Sequence, residues 1–173
     1  MAKRAQRSGI DQLFPPALRK RLRELRHHLH QHPELSSQEE QTAARLHQEL
    51  ARLNPAALER VAGTGVVARI KGRRRNAPVI AVRGDIDALP IQEDTGLSFA
   101  SQTPGVMHAC GHDVHATWAV GAAHLLAARP AAGDVVVVLQ PAEETGKGAE
   151  AIMRSGALDG VAAIFGGHVD RRF

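Results

Sequence analysis

Three short and almost continuous apolar runs constrain the fold of this chain more than any other feature. They cover residues 78–83, 134–139 and 161–165, and helical patterns over residues 113–129 and 147–154 lie between them. Strands that are apolar on both faces are typical of a sheet that is covered by helices. The sequence therefore predicts an α/β fold with a central, mostly parallel or mixed sheet flanked by helices.

Two helices and a hairpin are predicted ahead of these runs. The first helix lies between Pro15 and Pro33 and has leucines at helical spacing. The second begins at a capping box over residues 36–40, where a serine is followed three residues later by a glutamate, and it ends at Asn54. Residues 58–71 are expected to form the hairpin around a Gly-Thr-Gly turn.

Five histidines near the N-terminus could suggest a metal cluster. Their spacing instead spreads them around the polar face of the helices, so we interpret them as solvated surface residues. They are His27, His28, His30, His32 and His47.

Polar side chains follow each apolar run. Asp85 and Asp87 come after the first run, Glu143 and Glu144 after the second, and His168 after the third. Ligands of open α/β sheets bind outside the carboxyl ends of the strands, so we expect these side chains to meet at one edge of the sheet.

The segment over residues 107–115 adds a thiol and imidazoles to this edge. Cys110 and His112 lie just before a helical pattern, and the dipole and free amides of a helix start should favour the thiolate of Cys110. Gly111 would allow a tight turn between them. Thiolate, imidazole and carboxylate are together the ligands of a borderline-soft divalent metal. The sequence therefore predicts the site of a metallohydrolase.

Composition excludes several other functional classes. The chain of 173 residues is long enough for one domain, and it has no apolar run of the roughly 18 to 20 residues that a membrane helix needs. A net charge of only +4, with four Phe, one Trp and no Tyr, argues against nucleic-acid binding. One cysteine fits a reducing compartment. We expect a soluble cytoplasmic protein with neither membrane nor nucleic-acid partner, and a disordered basic segment over residues 1–14.

Five blocks of sequence resemble, in the same order, the signatures of the M20 metallopeptidase superfamily. They resemble in particular its amidohydrolase branch, which includes hippurate hydrolases, auxin-conjugate hydrolases and N-acetyl-diaminopimelate deacetylases. The blocks are residues 28–36, 83–90, 107–115, 140–144 and 167–168.

The resemblance implies a zinc-exopeptidase-like catalytic domain that hydrolyses the amide bond of N-acyl amino acids with two divalent ions. The ions would be Zn²⁺ or Mn²⁺, and Co²⁺ or Ni²⁺ are also used by relatives. The metal ligands that it implies are Cys110, His112, Glu144 and His168. Glu143 would be the general base, and Asp87 would orient a ligand.

Three further side chains have roles that the sequence leaves open. Asp85 stands where peptidase branches of the superfamily place a histidine ligand, which argues against direct metal binding by Asp85. His115 lies one helical turn beyond His112 and either supports a ligand or only packs, with packing favoured. His108 could contact substrate or could be structural.

Members of the resembling family are more than twice as long as this chain. After the segment that matches His168 they build a lid and dimerisation domain, and they then return to complete the catalytic domain and supply a last histidine ligand. We therefore expect residues 15–173 to be the N-terminal portion of a catalytic domain without its lid, with little activity by itself and a full-length form that could be a homodimer. The alternatives are a non-catalytic metal-binding or interaction module, and a dipeptidase of the same superfamily.

Overall fold

A five-stranded mixed sheet organises residues 13–170, which are the part of the chain that the computed structural model describes. In chain order the elements are α1 (Pro16–Gln31), α2 (Glu40–Ala51), β1 (Ala57–Val61), β2 (Gly65–Ile70), β3 (Val79–Asp85), α3 (His112–Ala128), β4 (Val135–Gln140), α4 (Gly148–Arg154) and β5 (Val161–Gly166). The predicted α/β fold with helices flanking a central sheet is confirmed.

The strand order is β1-β2-β4-β3-β5. Strands β1 and β2 form the predicted antiparallel hairpin, and β2 also runs antiparallel to β4. Strand β3 lies parallel to both β4 and β5. The three apolar runs of the sequence are therefore the three mutually parallel strands, and their carboxyl ends lie at one edge of the sheet.

Strand β4 is the buried centre of the sheet, since all six of its residues are buried. Its odd-numbered residues, such as Val137 and Leu139, pack into the main core with α1, α2 and α3, which contribute residues such as Leu46. Its even-numbered residues, such as Val136 and Val138, pack on the other face, where Ile152 of α4 covers them. Full burial of such a side chain stabilises the fold by about 1.5–3 kcal/mol.

Helix α3 approaches the sheet very closely at Gly84 of β3. A Cβ atom at residue 84 would lie 2.4 Å from the carbonyl oxygen of His115. Glycine is therefore required at this crossing, and it sets how deeply the first turn of α3 enters the molecule.

The predicted capping box at the start of α2 is wrong. No side chain caps the helix at its N-cap residue, Glu39. The first-turn amides are satisfied instead by the carboxylate of Glu34, which accepts from the backbone N–H groups of Gln41 at 3.2 Å and Thr42 at 2.8 Å. Glu39 turns away from the helix and is fully buried.

The surface interpretation of the N-terminal histidines holds for His28 and His32, which are exposed, and is wrong for His30. His30 is 5% exposed and its Nδ1 lies 2.9 Å from Oδ2 of Asp113, because the buried face of α1 extends to meet α3. Its Nε2 lies 3.2 Å from Oε1 of Glu93. His30 thus lies on the buried leucine face of α1, where it contacts Asp113, a partner that is distant in sequence.

The third apolar run also differs from its prediction as a buried strand. Within residues 13–170, β5 pairs only with β3 and forms one edge of the sheet. Ile164 and Phe165 are 53% and 57% exposed, because no described helix covers this strand.

Two predictions concern the limits of the chain and its relation to membranes. Apart from residues 13 and 14, the segment expected to be a disordered basic N-terminus lies outside the described residues. Between residues 13 and 170, none of the helices combines the length and apolar character needed to cross a membrane.

Candidate metal centre

The carboxyl ends of the parallel strands and the start of α3 meet at one place, as the sequence predicted. Asp85 is the last residue of β3, and Asp87 follows two residues later. Glu143 and Glu144 follow β4, and His112 is the first residue of α3. The loops and the helix start thereby bring four carboxylates to a single imidazole.

Three of the predicted metal ligands lie close together. Cys110, His112 and Glu144 each offer a ligand atom, and these atoms all lie within 4.8 Å of one another. This spacing is suited to a single cation between a sulfur, a nitrogen and a carboxylate oxygen.

The Nε2 atom of His112 is the clearest sign of an intended ligand. His112 is 1% exposed, and among the described residues this nitrogen has no hydrogen-bond partner. It lies 3.6 Å from Oδ1 of Asp85 and 3.7 Å from carboxylate oxygens of both Glu143 and Glu144. A buried polar atom is normally satisfied, so an unpaired nitrogen that faces carboxylates fits a divalent metal.

Asp87 fixes the orientation of His112. The Nδ1 atom of His112 lies 2.9 Å from the backbone oxygen and 3.2 Å from Oδ1 of Asp87. Both oxygens only accept hydrogen bonds, so Nδ1 is the donor, and the neutral ring then keeps its lone pair on Nε2. The pKa of His112 is raised, because its hydrogen bond to Asp87 and the nearby negative charges outweigh burial, which lowers it.

Asp87 also holds two other parts of the site. Its Oδ2 accepts from the hydroxyl of Ser36 at 2.6 Å and from the backbone N–H of Glu144 at 3.0 Å. Burial raises the pKa of Asp87, but the hydrogen bonds from His112, Ser36 and the backbone amides outweigh it and lower the pKa to about 2. Asp87 is therefore an anion that joins three segments of the chain at the site.

The prediction that the helix start favours the thiolate of Cys110 is wrong without a neighbouring cation. Burial, followed by the negative charges of Glu144, Glu143 and Asp85, raises the pKa of this thiol to about 11. Cys110 lies two residues before α3, and close carboxylates outweigh a dipole that decays within one turn. A bound cation reverses this balance, because it favours the thiolate directly.

The loop that follows β4 has a strained backbone just before the two glutamates. Ala142, immediately before Glu143, has a φ of +48°. This left-handed conformation costs a residue with a side chain about 1–3 kcal/mol and persists only where the surroundings fix it. The carbonyl of Ala142 accepts from the N–H of Gly148 at 3.1 Å and from the hydroxyl of Thr145 at 3.2 Å.

The segment that carries His168 lies against the start of α3. Gly111 has a φ of +82°, and a Cβ atom there would come within 2.3 Å of Cγ2 of Val169, so glycine is required, as predicted. The backbone N–H of Val169 donates to Nε2 of His115 at 2.9 Å. His168 is exposed, its ring centroid lies 4.8 Å from that of His115, and it lines a cavity of about 600 Å³ together with Cys110. The structure thus places His168 beside the centre but outside the close group of three.

Asp85 and His115 belong to a hydrogen-bonded network. Nδ1 of His115 donates to Oδ1 of Asp85 at 2.6 Å, and Nη1 of Arg83 lies 2.7 Å from Oδ2 of the same carboxylate. Although Asp85, His112 and His115 also offer closely spaced ligand atoms, both ring nitrogens of His115 are engaged by these protein partners. His115 therefore supports the site rather than only packing.

Sequence reasoning missed the role of Asp113. It is 1% exposed, and its Oδ2 accepts from Nε of Arg26 at 2.7 Å in addition to its contact with His30. These bonds tie the first turn of α3 to α1. The position of Asp113 next to His112 was a possible signal. No spacing rule, however, linked Asp113 to His30, which lies 83 positions earlier in the chain, or to Arg26, which lies 87 positions earlier.

His108, whose role was open, is 5% exposed, and neither ring nitrogen has a hydrogen-bond partner among the described residues. Burial lowers the pKa of His108 to about 4, so the ring is neutral near pH 7. It lines the same cavity as Cys110 and His168.

A thiol, an imidazole and paired glutamates at the carboxyl edge of an α/β sheet define a candidate site for divalent metal ions in an α/β protein. A model of peptidase family M20/M25/M40 matches residues 81–172, just over half of the chain. The chain belongs to this family, which confirms the resemblance drawn from the five sequence blocks.

Two curated relatives share much of the sequence. N-acetylcysteine deacetylase of Bacillus subtilis is 49% identical over 155 residues, which cover 88% of this chain and 40% of the relative. IAA-amino acid hydrolase ILR1-like 6 of Arabidopsis thaliana is 45% identical over 150 residues, which cover 86% of this chain and 32% of the relative. The chain thus spans two fifths or less of the length of these relatives.

The solved structures agree with the fold. The YXEP protein of Bacillus subtilis, a dinuclear metal-binding peptidase from the M20 family, superposes with a TM-score of 0.85 at 48% identity. The match covers 89% of this chain and 44% of that chain.

Proposed function

We propose that this chain forms the larger part of the metal site of a hydrolase that cleaves the amide bond of N-acyl amino acids. The observation that carries the proposal is the approach of Cys110, His112 and Glu144 within 4.8 Å, with the buried Nε2 of His112 left without a protein partner. The chain spans 40% of the N-acetylcysteine deacetylase that it resembles, so low turnover by the chain alone is part of the proposal.

The donor set fits divalent ions that accept both soft and hard ligands. Cys110, His112, Glu144 and His168 would hold two ions, which we expect to be Zn²⁺ or Mn²⁺, with Co²⁺ or Ni²⁺ as substitutes. When bound, such ions lower the pKa of water toward about 7 and polarise the scissile carbonyl.

The two glutamates divide their roles according to exposure. The side chain of Glu144 is 22% exposed and shares the close group with Cys110, whereas that of Glu143 is 38% exposed. We assign Glu144 as the ligand and Glu143 as the general base. Glu143 accepts a proton from the attacking water and returns it to the leaving nitrogen.

Asp87 acts through other residues rather than on the substrate. It keeps Nε2 of His112 free by accepting from Nδ1, and it holds the backbone of Glu144. Such outer partners commonly change metal affinity or activity by 10–100-fold when they are replaced.

The substrate class is supported by the relatives. N-acetylcysteine deacetylase and IAA-amino acid hydrolase both act on an acylated amino acid. A small-molecule N-acyl amino acid substrate is therefore included in the proposal. The proposal also includes a cytoplasmic location, which the single cysteine favours, and a homodimeric full-length form, which the family resemblance implies.

Metal binding is the decisive test, because Cys110, His112 and Glu144 all lie within the described residues. The purified 173-residue chain should bind Zn²⁺ or Mn²⁺, and His112→Ala should weaken binding strongly. Glu143→Gln should leave binding nearly unchanged. Equal metal content in the wild-type chain and a Cys110→Ala, His112→Ala double variant would contradict the proposal.

Substrate assays separate the enzymatic alternatives. N-acetyl-L-cysteine should be hydrolysed in preference to free dipeptides, and the Glu143→Gln variant should abolish any turnover. Cleavage of dipeptides alone would favour a dipeptidase. Metal binding without hydrolysis, in a form extended to the length of its relatives, would favour a non-catalytic module.

A further inference from the structure

Glu39 is a buried carboxylate that no step of the proposed reaction uses. It lies just before the first residue of α2 and is 0% exposed. Its Oε1 accepts from the backbone N–H of Ala142 at 2.8 Å, and its Oε2 accepts from the hydroxyl of Thr64 at 2.6 Å. Both oxygens are thus engaged by neutral donors, one of which is 103 residues away in sequence.

The partner of Glu39 is the residue whose backbone sets the direction of the glutamate pair. Ala142 precedes Glu143 and has the left-handed φ of +48°. A change in the φ angle of Ala142 would redirect the side chains of Glu143 and Glu144. In this conformation the buried N–H of Ala142 donates a hydrogen bond to the carboxylate of Glu39, and an unpaired amide at this place would be costly.

A second carboxylate holds the same loop two residues later. Oδ2 of Asp87 accepts from the N–H of Glu144 at 3.0 Å. The loop is therefore fixed by carboxylates at both ends of the segment that contains Glu143, and only the Asp87 contact also touches a metal ligand. Glu39 contacts neither a predicted ligand side chain nor the cavity that Cys110 and His168 line, and it bonds the loop through the backbone N–H of Ala142.

The packing around Glu39 leaves the loop little freedom. Thr64 lies in the turn between β1 and β2, next to Gly65. A Cβ atom at residue 65 would lie 3.0 Å from Cδ of Pro141, and one at Gly148 would lie 1.6 Å from the carbonyl oxygen of Pro141. The hairpin turn and the start of α4 therefore enclose the loop, and Glu39 hydrogen-bonds both the turn and the loop.

We propose that Glu39 is a positioning residue for the metal centre: its hydrogen bond to Ala142 holds the loop in the conformation that directs Glu144 toward Cys110 and His112, and Glu143 toward the substrate. This inference rests on the proposed metal-dependent function. It adds a residue of the α1–α2 connection to a site that is otherwise built at the edge of the sheet.

The test uses two substitutions that differ in hydrogen bonding but share the loss of charge. In Glu39→Gln the amide oxygen can accept from Ala142, and the amide NH₂ can donate to the hydroxyl of Thr64, which can also accept. Glu39→Ala removes both bonds. Glu49→Ala is the matched control, because Glu49 is a buried carboxylate within α2 that pairs with Arg21 and Arg45 instead of the loop.

Co²⁺ affinity and the visible spectrum of bound Co²⁺ are measured in the 173-residue chain. Glu39→Ala should weaken Co²⁺ binding about 10–100-fold and alter the spectrum, as replacement of outer partners of metal sites commonly does. Glu39→Gln should retain the wild-type affinity and spectrum. Glu49→Ala should lower the midpoint of unfolding while leaving both unchanged.

Two results would overturn the inference. One is a folded Glu39→Ala variant with wild-type Co²⁺ binding, and the other is a Glu39→Gln variant as weak as Glu39→Ala. If Glu39→Ala does not fold, Glu39→Asp replaces it, since it keeps the carboxylate but shortens its reach by one methylene. Unchanged Co²⁺ binding in Glu39→Asp, with unchanged amide exchange at Ala142, would then refute the positioning role.

Amide hydrogen exchange separates this inference from the proposed function. The N–H groups of Ala142 and Glu144 should exchange faster in Glu39→Ala than in Glu39→Gln, with or without Co²⁺. If the wild-type chain binds no Co²⁺, the proposed function fails, while the exchange rates still decide whether Glu39 holds the loop. Equal exchange in the two variants would show that it does not.

Discussion

On the side of β3, β4 and α3, the candidate centre is buried and densely hydrogen-bonded, whereas on the side of β5 it is open. The buried side consists of Asp85, Asp87 and His112, each 1% exposed, together with Glu144. The open side consists of β5 and His168, where Ile164 and Phe165 are more than half exposed. Folding of the described residues therefore organises one half of the centre in advance and leaves the other half accessible.

This difference has a physical origin in the sheet. Strand β4 lies between β2 and β3 and is covered on both faces, so the loop after it is enclosed. Within residues 13–170, β5 pairs only with β3, and in the segment after it the backbone N–H of Val169 donates to His115. Preorganised ligands lose less freedom on binding, so the two halves should respond differently to the same kind of substitution.

The largest expected difference is in stability. Leu139→Ala in β4 removes a side chain that is 0% exposed and should lower the free energy of unfolding by about 2–5 kcal/mol. Phe165→Ala in β5 removes a side chain that is 57% exposed and should change it by only about 0.5 kcal/mol. Urea unfolding of both variants measures the change in the free energy of unfolding. Equal decreases in the two variants would show that β5 is as well packed as β4.

The next comparison concerns metal affinity. His112→Ala should weaken Zn²⁺ binding by about 100-fold and His168→Ala by about tenfold. The reason is that Asp87 holds the ring of His112 in place before the metal binds, and a preorganised ligand contributes more to affinity. Calorimetric titration measures both affinities. A larger loss for His168→Ala would mean that the open side controls binding.

Acid stability should sharpen the comparison further. The folded pKa of Asp87 is about 2, below its ordinary value of 3.8, so its ionised form stabilises the fold above pH 4, and this contribution is lost as the pH falls toward 2. The loss should be about 2 kcal/mol, at 1.36 kcal/mol per pKa unit. Urea unfolding between pH 6 and 2 should show a smaller decline for Asp87→Asn. Parallel curves for the two proteins would exclude this contribution.

The smallest effect is in thiol reactivity. Glu144→Gln removes the largest charge effect on Cys110 after burial, so it should lower the pKa of the thiol and speed alkylation by iodoacetamide at pH 9. The gain should be about three- to tenfold, because thiolate fraction sets the rate. His168→Ala, on the open side, is the control and should react at the wild-type rate. A slower reaction in Glu144→Gln would contradict the electrostatic account.

The sequence predicted those parts of the fold that depend on local patterns. The three apolar runs became three parallel strands, as predicted, and burial explains the first two, whereas the third is an exposed edge strand that pairs with β3. The edge at which the polar residues meet followed from the same topology. The meeting of Cys110, His112 and the glutamate pair was therefore predictable from residue order and type, whereas the choice of Glu144 as the ligand came from the family resemblance.

The sequence did not predict contacts that depend on distant partners. The capping box failed because Glu39 bonds to Ala142, and His30 was misplaced because its partner is Asp113, 83 residues away. The thiolate of Cys110 was misjudged because burial and the carboxylates predicted at the same edge raise the pKa of the thiol more than the helix dipole lowers it. The structure brings Cys110, His112 and Glu144 together, but their roles as metal ligands stay predictions. The roles of Glu143, Asp87 and His168 also stay predictions.

The absence of a side chain at residue 84 gives the centre its depth. Because a methyl group there would meet the carbonyl of His115, Gly84→Ala would lift the first turn of α3 away from the sheet without changing any ligand. The separation between the imidazole of His112 and the carboxylates at and just after the end of β3 therefore depends on a residue that carries no donor atom of its own side chain.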